Sequence, residues 1–148
     1  MLLSKVLATT DFSEAADAAI RVAKDLARRY DAELSLLHVY EPGPAVQERL
    51  IPRGEVRHLD VASQARARLA KLAELHELGD VELHLDMDAS PVEGILEHLR
   101  AHEIDLVVMA AHSHTALERL LVGSVTERVV RHACCAVMTV KPGQRPVR

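Results

Sequence analysis

The sequence predicts an α/β fold: a single domain over residues 1–148 with an open, five-stranded, mainly parallel sheet and helices on both faces. Short aliphatic runs of strand length alternate with longer segments of helical periodicity. The chain has 148 residues, 49% of them hydrophobic but only 2% aromatic, so one aliphatic core is expected. The strands are almost continuously apolar, as in sheets covered on both faces.

The first half of the chain predicts strand, helix, strand and helix. "SKVLATTD" is a strand, and Ser13 is placed to cap the helix that follows. "AELSLLHVYE" is the second strand. The proline- and glycine-rich residues 42–54 form a surface loop, either a plain connection or a flap over a site. Helical spacing then begins at Glu55, and Gly79 is placed to end that helix.

The second half predicts three strands and two helices. "VELHLDM" alternates between apolar and polar residues, which indicates a more exposed edge strand. Ser90, Pro91 and Glu93 form the start of a helix with a capping box, and Ser124 with Glu127 repeats that pattern. "IDLVVMAA" and "AVMTVKP" are the fourth and fifth strands.

Charge and composition argue against nucleic-acid and membrane partners. Lys and Arg number 18 against 22 Asp and Glu, a net charge of −4, without a long block of one sign. The N-terminus does not resemble a signal peptide, and no apolar run is long enough to span a bilayer. Cys134 and Cys135 are adjacent, which favours reduced thiols and a cytoplasmic protein.

The alternation of strands and helices also predicts where a ligand binds. Right-handed crossovers place the carboxyl ends of all parallel strands at one edge of the sheet. Ligands of such sheets bind beyond those ends, where the winding reverses. The segments after the first and fourth strands are therefore the first candidates for a binding site.

The segment after the fourth strand resembles a known signature. "AAHSHTALERLLVGSVTERVVRHACCAVMTV" is similar to the C-terminal part of the universal stress protein family, whose nucleotide-binding members carry G-x2-G-x9-G-[ST] there. "TDFSEAA", "LLHVYE" and "IDLVVM" also resemble that family, so the likeness covers essentially the whole chain. It implies a Rossmann-like fold of the adenine nucleotide alpha hydrolase-like type.

The resemblance implies binding of ATP or another adenine nucleotide, with Mg²⁺ as an accompanying ion. Asp11 would contact the ribose or adenine, the Val39 backbone would contact the base, and the first turn of the last helix would contact phosphate. The structural alternatives are that Asp11 merely precedes a helix and that Ser124 is only a cap. The implied nucleotide-binding residues are Thr9, Thr10, Asp11, Val39, Met109, Ala110, His112, Ser113, Gly123, Ser124, Val125 and Thr126.

The phosphate loop departs from the family pattern at two positions. Ala110 and Ser113 replace the first two motif glycines, whereas Gly123 and Ser124 match. A non-glycine residue in a left-handed conformation costs roughly 1–2 kcal/mol, against roughly 8 kcal/mol for micromolar binding. If the missing Cβ instead made room for ligand, the added atoms would clash. We expect binding to be weakened rather than abolished.

Metal binding and catalysis have little support in the sequence. His112 and His114 form an H-x-H pair, but a structural site usually needs four ligands, so no metal site is predicted. Neither a nucleophile elbow nor a complete P-loop with its Lys is present, so no catalytic residue is assigned and an enzyme is not expected.

The sequence therefore predicts a nucleotide-responsive regulator that acts in stress through an unknown protein partner. The resemblance implies a homodimer that pairs through the last strand, residues 136–140, whose apolar edge needs covering. The alternative is an interaction module that no longer binds nucleotide. A third, weaker alternative is a metal-responsive binder that uses His112 and His114.

Overall fold

A computed structural model describes residues 2–41, 57–111 and 124–142. Strands and helices alternate strictly along these ranges, as the sequence predicts. The elements are β1 (Lys5–Thr9), α1 (Glu14–Tyr30), β2 (Glu33–Tyr40), α2 (Arg57–Leu75), β3 (Glu82–Met87), α3 (Pro91–Ala101), β4 (Leu106–Ala110), α4 (Ser124–His132) and β5 (Ala136–Val140).

The five strands form one sheet in the order β3-β2-β1-β4-β5, and every neighbouring pair is parallel. β1 lies at the centre, where Val6 is level with Leu34 of β2 and with Leu106 of β4. β3 lies at one edge, as its alternating pattern predicts. The winding reverses between β1 and β4, because the chain leaves β1 toward one edge and returns to build the other.

Each face of the sheet is covered by two helices, which confirms the predicted double layer. Val6 and Ala8 of β1 lie in a core cluster with α1 and with Leu69 of α2. Leu7, which points to the opposite face, packs with α3, α4 and Val107 of β4. Because neighbouring strand residues point to opposite faces, one short apolar strand supplies both cores.

The N-termini of the helices agree only in part with the predicted caps. Ser13 caps α1, since its Oγ accepts from the Ala16 amide at 3.1 Å. Ser90 Oγ accepts from the Glu93 amide at 3.4 Å. The reciprocal half of that capping box is wrong, because the Ser90 amide donates to Asp88 Oδ1 at 2.8 Å. An Asp two residues upstream forms this local turn readily.

The freed Glu93 side chain is used between helices instead. Its Oε1 accepts from Arg128 Nη2 of α4 at 3.3 Å. In α4 itself, Glu127 accepts from Arg131 one turn later at 2.7 Å. The helix begins at Ser124, whose side chain lies outside the described part of the chain, so its predicted cap stays a prediction.

The predicted role of Gly79 at the end of α2 is wrong. The helix ends at Leu75, and Glu77 takes the left-handed conformation, with φ 52°. The Leu78 amide donates to Ala73 at 2.9 Å across this turn, as in a Schellman motif. Asp31 and Glu103 hold the same position after α1 and α3, with φ 53° each. An acidic residue therefore stands where glycine is usual in all three helices.

Replacing one of these acids by glycine is expected to stabilise the fold. Glu103→Gly should raise the free energy of unfolding by about 0.5–1 kcal/mol, because it relieves left-handed strain and removes a negative charge from a helix C-terminus, at some cost in unfolded-chain entropy. Urea unfolding measures the change. Glu97→Gly, an exposed position within α3, is the control and should lose about 1 kcal/mol. Equal losses in both variants would contradict the prediction.

Candidate functional site

The carboxyl ends of β1 and β4 lie side by side, at the position where ligands of such sheets bind, which is called the crevice below. Ala8 of β1 is level with Val108 of β4, so the residues that follow each strand emerge together. The structure thereby brings Thr9, Thr10 and Asp11 near Met109 and Ala110, which the sequence assigned to one site. This is the point at which the winding of the sheet reverses.

The turn after β1 is fixed by its own hydrogen bonds. Thr10 is buried; its amide donates to the Leu37 carbonyl at 2.9 Å, and its Oγ1 accepts from the Phe12 amide at 2.9 Å. Phe12 has a left-handed backbone, with φ 63°. Asp11 is exposed, and its Oδ1 accepts from the Ser13 amide at 2.9 Å. Asp11 thus shapes the start of α1 while its carboxylate stays open to solvent.

The other wall of the crevice joins β4 to α4. Thr126 is buried, and its Oγ1 donates to the Ala110 carbonyl at 2.9 Å. The Ala111 amide donates to the Val140 carbonyl at 2.8 Å, which continues the pairing with β5. The first turn of α4 is therefore held against the end of β4. A helix N-terminus at such a point offers free backbone amides to an anion.

The backbone conformation of Ala110 shows whether replacing the first motif glycine strains the chain. It is the last residue of β4, paired with Val140, and it is not among the described residues with positive φ. The left-handed penalty considered from the sequence therefore does not apply to Ala110. The remaining effect of this replacement is steric, because the Cβ of Ala110 occupies space that a glycine would leave free. His112, Ser113 and Gly123 lie outside the described residues, as does the side chain of Ser124.

Three apolar members of the predicted site contribute side chains to the core. Met109 is only 3% exposed, and Val125 and Val39 pack against the same cluster beneath α3 and α4. A Cβ on Gly94 of α3 would lie 2.7 Å from Val39 Cγ1, so the helix approaches β2 closely here. With side chains packed inward, Met109 and Val39 can meet a ligand only through the backbone.

Three residues that the sequence did not single out surround the β1 turn. His38 Nδ1 donates to the Thr10 carbonyl at 2.7 Å, and its ring centroid lies 4.3 Å from that of Phe12. The guanidinium of Arg68, on α2, lies 4.1 Å from the Phe12 ring centroid, a cation–π contact. No local pattern distinguishes Arg68 from the other basic residues of α2, because the tertiary fold brings it to this turn.

The electrostatics of this turn combine a half-buried imidazole with two exposed charges. Burial lowers the pKa of His38, with a smaller lowering from Arg68 and a raising effect from Asp11 and the Thr10 hydrogen bond. His38 is therefore a neutral imidazole near pH 7. Among the described residues, Asp11 contributes a carboxylate and Arg68 a guanidinium beside this turn.

Most of the chain matches one family of known proteins. A model of the Universal stress protein family matches residues 3–141. The chain belongs to the universal stress protein family. A universal stress protein from Methanocaldococcus jannaschii is 31% identical over 141 residues, which cover 95% of this chain and 83% of that protein.

Solved universal stress proteins have the same fold. The structure of UspA from Lactobacillus plantarum superposes with a TM-score of 0.77 at 28% identity, covering 95% of this chain and 99% of that one. A universal stress protein solved in complex with cAMP superposes with a TM-score of 0.73 at 23% identity, covering 95% and 98% of the two chains. At that identity the second likeness establishes the fold alone.

This universal stress protein also gathers three histidines away from the crevice. His84 of β3 lies against His98 of α3 and against His102, which directly follows that helix. Among the described residues these are the group whose ligand atoms are close enough to hold a metal ion. The sequence considered only His112 and His114. The spacing of His98 and His102 by about one helical turn can be recognised in the sequence. The contact with His84 cannot, because that residue lies on a different element.

No helix in the described ranges of this universal stress protein has both the length and the apolar character needed to cross a membrane.

The hydroxyl of Thr126 is expected to matter to stability because it satisfies a carbonyl at the end of β4. Thr126→Val should lower the free energy of unfolding by about 1–3 kcal/mol, since the buried hydrogen bond to Ala110 is lost. Urea unfolding without nucleotide measures this. Ser63→Ala, at an exposed position of α2, is the control for loss of a surface hydroxyl and should change stability by less than about 0.5 kcal/mol. Similar losses in the two variants would contradict the assignment.

The stability of the fold is expected to fall in mild acid. Burial lowers the folded-state pKa of His38 from the ordinary value of 6.5, so below about that pH the unfolded chain binds more protons and unfolding becomes easier. Urea unfolding between about pH 8 and 5 should show this decline. His38→Gln should flatten it in part, whereas His132→Gln on the exposed side of α4 serves as the control. An unchanged slope in His38→Gln would rule out this source.

Proposed function

We propose that this universal stress protein is a regulator that binds an adenine nucleotide reversibly, without dedicated catalysis. One observation carries the proposal: the Thr10–Asp11 turn and the first turn of α4 flank the same crevice between β1 and β4. The related protein solved with cAMP supports an adenine nucleotide as the ligand class. Binding to this chain is our inference.

The proposed pose places the nucleoside at β1 and β2 and the phosphates at α4. The exposed carboxylate of Asp11 suits the hydroxyls of a ribose, which donate hydrogen bonds. The Val39 backbone lies near the carboxyl end of β2 and would meet the base. The phosphates would accept from backbone amides at the N-terminus of α4, whose position the Thr126 hydroxyl fixes.

Charge near the crevice is compatible with this ligand but not strongly attractive. The chain has a net charge of −4, and Asp11 adds a carboxylate at the mouth. Arg68 supplies a positive charge beside Phe12 on the same turn. A Mg²⁺ ion bound with the phosphates would reduce the remaining repulsion. We therefore expect binding to be favoured by Mg²⁺.

The proposed active form is a homodimer in the cytoplasm. β5 lies at an edge of the sheet, and Met138 on it is 37% exposed. Pairing of β5 with its copy would cover this edge. The free cysteines Cys134 and Cys135 are compatible with a reducing compartment. The output of the dimer would be contact with a protein partner of unknown identity.

Native mass spectrometry with ATP and Mg²⁺ is the direct test, because it reports subunit number and ligand mass together. We expect a dimer with one adenine nucleotide per chain. A protein that stays free of nucleotide at millimolar ATP would refute the proposal and favour an interaction module without nucleotide. A nucleotide-bound monomer would refute only the dimer.

Asp11→Asn tests the site more sharply. The Asn Oδ1 can still accept from the Ser13 amide, so the turn is kept while the charge and one acceptor are lost. Calorimetry should show ATP binding weakened about 10-fold or more, the effect of losing a hydrogen bond to a charged group. Asp25→Asn, on the surface of α1, is the control. Returning Ala110 and Ser113 to Gly should tighten the same site.

A further inference from the structure

The histidine cluster identified above joins the edge strand β3 to α3. The ring nitrogens offered by His84, His98 and His102 all lie within 4.8 Å of one another. The rings of His98 and His102 are stacked with centroids 4.1 Å apart, and His84 meets His98 edge-on at 4.5 Å. Three imidazoles therefore converge on one small volume.

The fold explains this convergence. His84 and Asp86 alternate with apolar residues along β3 and lie on the face that α3 covers. His98 lies on α3, and His102 is the residue directly after the helix, where its amide still donates to the His98 carbonyl at 3.0 Å, so the two are about one turn apart. β3 is the edge strand, and His102 is exposed, so the cluster is reached from solvent at the margin of the sheet.

His98 is the central member of the cluster, and one of its ring nitrogens has no hydrogen-bond partner among the described residues. Its side chain is 1% exposed, and its Nδ1 donates to Asp86 Oδ2 at 2.8 Å. With the proton on Nδ1, Nε2 carries the lone pair of a neutral imidazole. Nε2 is buried and has no hydrogen-bond partner among the described residues. A buried polar atom left in this state requires an explanation.

Aromatic packing alone does not supply that explanation. Stacking would account for the ring of His102 on that of His98, but it leaves Nε2 unbonded. The neutral form is the one that can bind a metal ion, because a protonated imidazole has no free lone pair.

We propose that His84, His98 and His102 bind a divalent transition-metal ion, for which Zn²⁺ is the probe of choice. A carboxylate that orients a metal-binding histidine through its second nitrogen is a common arrangement, and Asp86 holds that place. Three histidines with an open position suit Zn²⁺. Tetrahedral ligands at the usual Zn–N length stand about 3.3 Å apart. The exposed His102 would therefore turn out of its stack on His98, so that its in-plane lone pair points at the ion.

The site is separate from the nucleotide crevice and differs from it in metal preference. β2 lies between β3 and β1, so the cluster is two strands away from the Asp11 turn. Mg²⁺ prefers oxygen ligands in octahedral geometry, whereas imidazole nitrogens favour Zn²⁺ and its neighbours in the transition series. The two ions can therefore be tested independently. The proposal also departs from the sequence-based expectation that no metal site exists.

Zinc titration of the tag-free protein, without nucleotide, tests the proposal. Calorimetry and native mass spectrometry should show one Zn²⁺ per chain. His102→Ala removes an exposed ligand with little effect on the fold, and binding should fall by more than the roughly 10- to 100-fold that loss of a supporting carboxylate costs in metal sites. Circular dichroism confirms that the variant is folded. Absence of Zn²⁺ binding by the unmodified protein would overturn the proposal.

Two control variants separate this site from other histidines. His132→Ala, on the exposed surface of α4, and the double variant His112→Ala with His114→Ala should both retain full Zn²⁺ binding. Loss of binding in the double variant, or its retention in His102→Ala, would place the ion elsewhere and overturn the assignment.

Asp86→Asn tests the orienting role of the carboxylate. Zn²⁺ affinity should fall by about 10- to 100-fold while one ion per chain is still bound at saturation. Long-range ¹H–¹⁵N spectra of the imidazoles supply an independent readout. Addition of Zn²⁺ should shift one ring nitrogen in each of His84, His98 and His102. A spectrum in which these nitrogens do not move would overturn the proposal whatever the calorimetry shows.

Discussion

The structure depends on one constraint: β1 pairs with β2 on one side and with β4 on the other, in parallel on both. Parallel pairing forces each connection across a face of the sheet, and both faces of β1 must therefore be covered by helices. The chain can satisfy this only by reversing its direction of winding beside β1. The reversal places the carboxyl ends of β1 and β4 side by side, so the topology positions the crevice without any specialised residue.

The hydrogen bonds around the crevice stabilise the fold whether or not a ligand is bound. The Asp11 carboxylate accepts from Ser13, and the Thr126 hydroxyl donates to Ala110, so each fixes the start of a helix relative to the end of a strand. Such preorganisation lets a ligand bind without ordering the backbone first. Because these residues stabilise the fold, their presence alone does not distinguish a chain that binds a ligand from one that does not. Ala110 lies in extended strand geometry, so its Cβ matters for space rather than for backbone strain.

In the edge strand β3, tertiary packing gives the alternating polar residues a different environment from the one that their sequence pattern predicts. Alternating polar residues on an edge usually face water, but His84 is packed against His98 of α3, and Asp86, although 40% exposed, accepts a hydrogen bond from that histidine. A carboxylate and three imidazoles are thereby concentrated at a margin where an apolar interface would be usual. The universal stress protein fold supplies the scaffold here, and these side chains place imidazole and carboxylate groups at its edge.

The sequence by itself determined the alternation of elements, the parallel sheet and the adjacency of the segments after β1 and β4, because apolar periodicity and handedness depend on local chemistry. It also identified the Ser13 cap correctly. It did not determine the end of α2, where Glu77 rather than Gly79 takes the left-handed conformation, since helix length is set by packing. Only the tertiary structure placed Arg68 on Phe12 and gathered His84 with His98 and His102. Those contacts join residues far apart in the chain, and no local pattern encodes which distant side chains will meet.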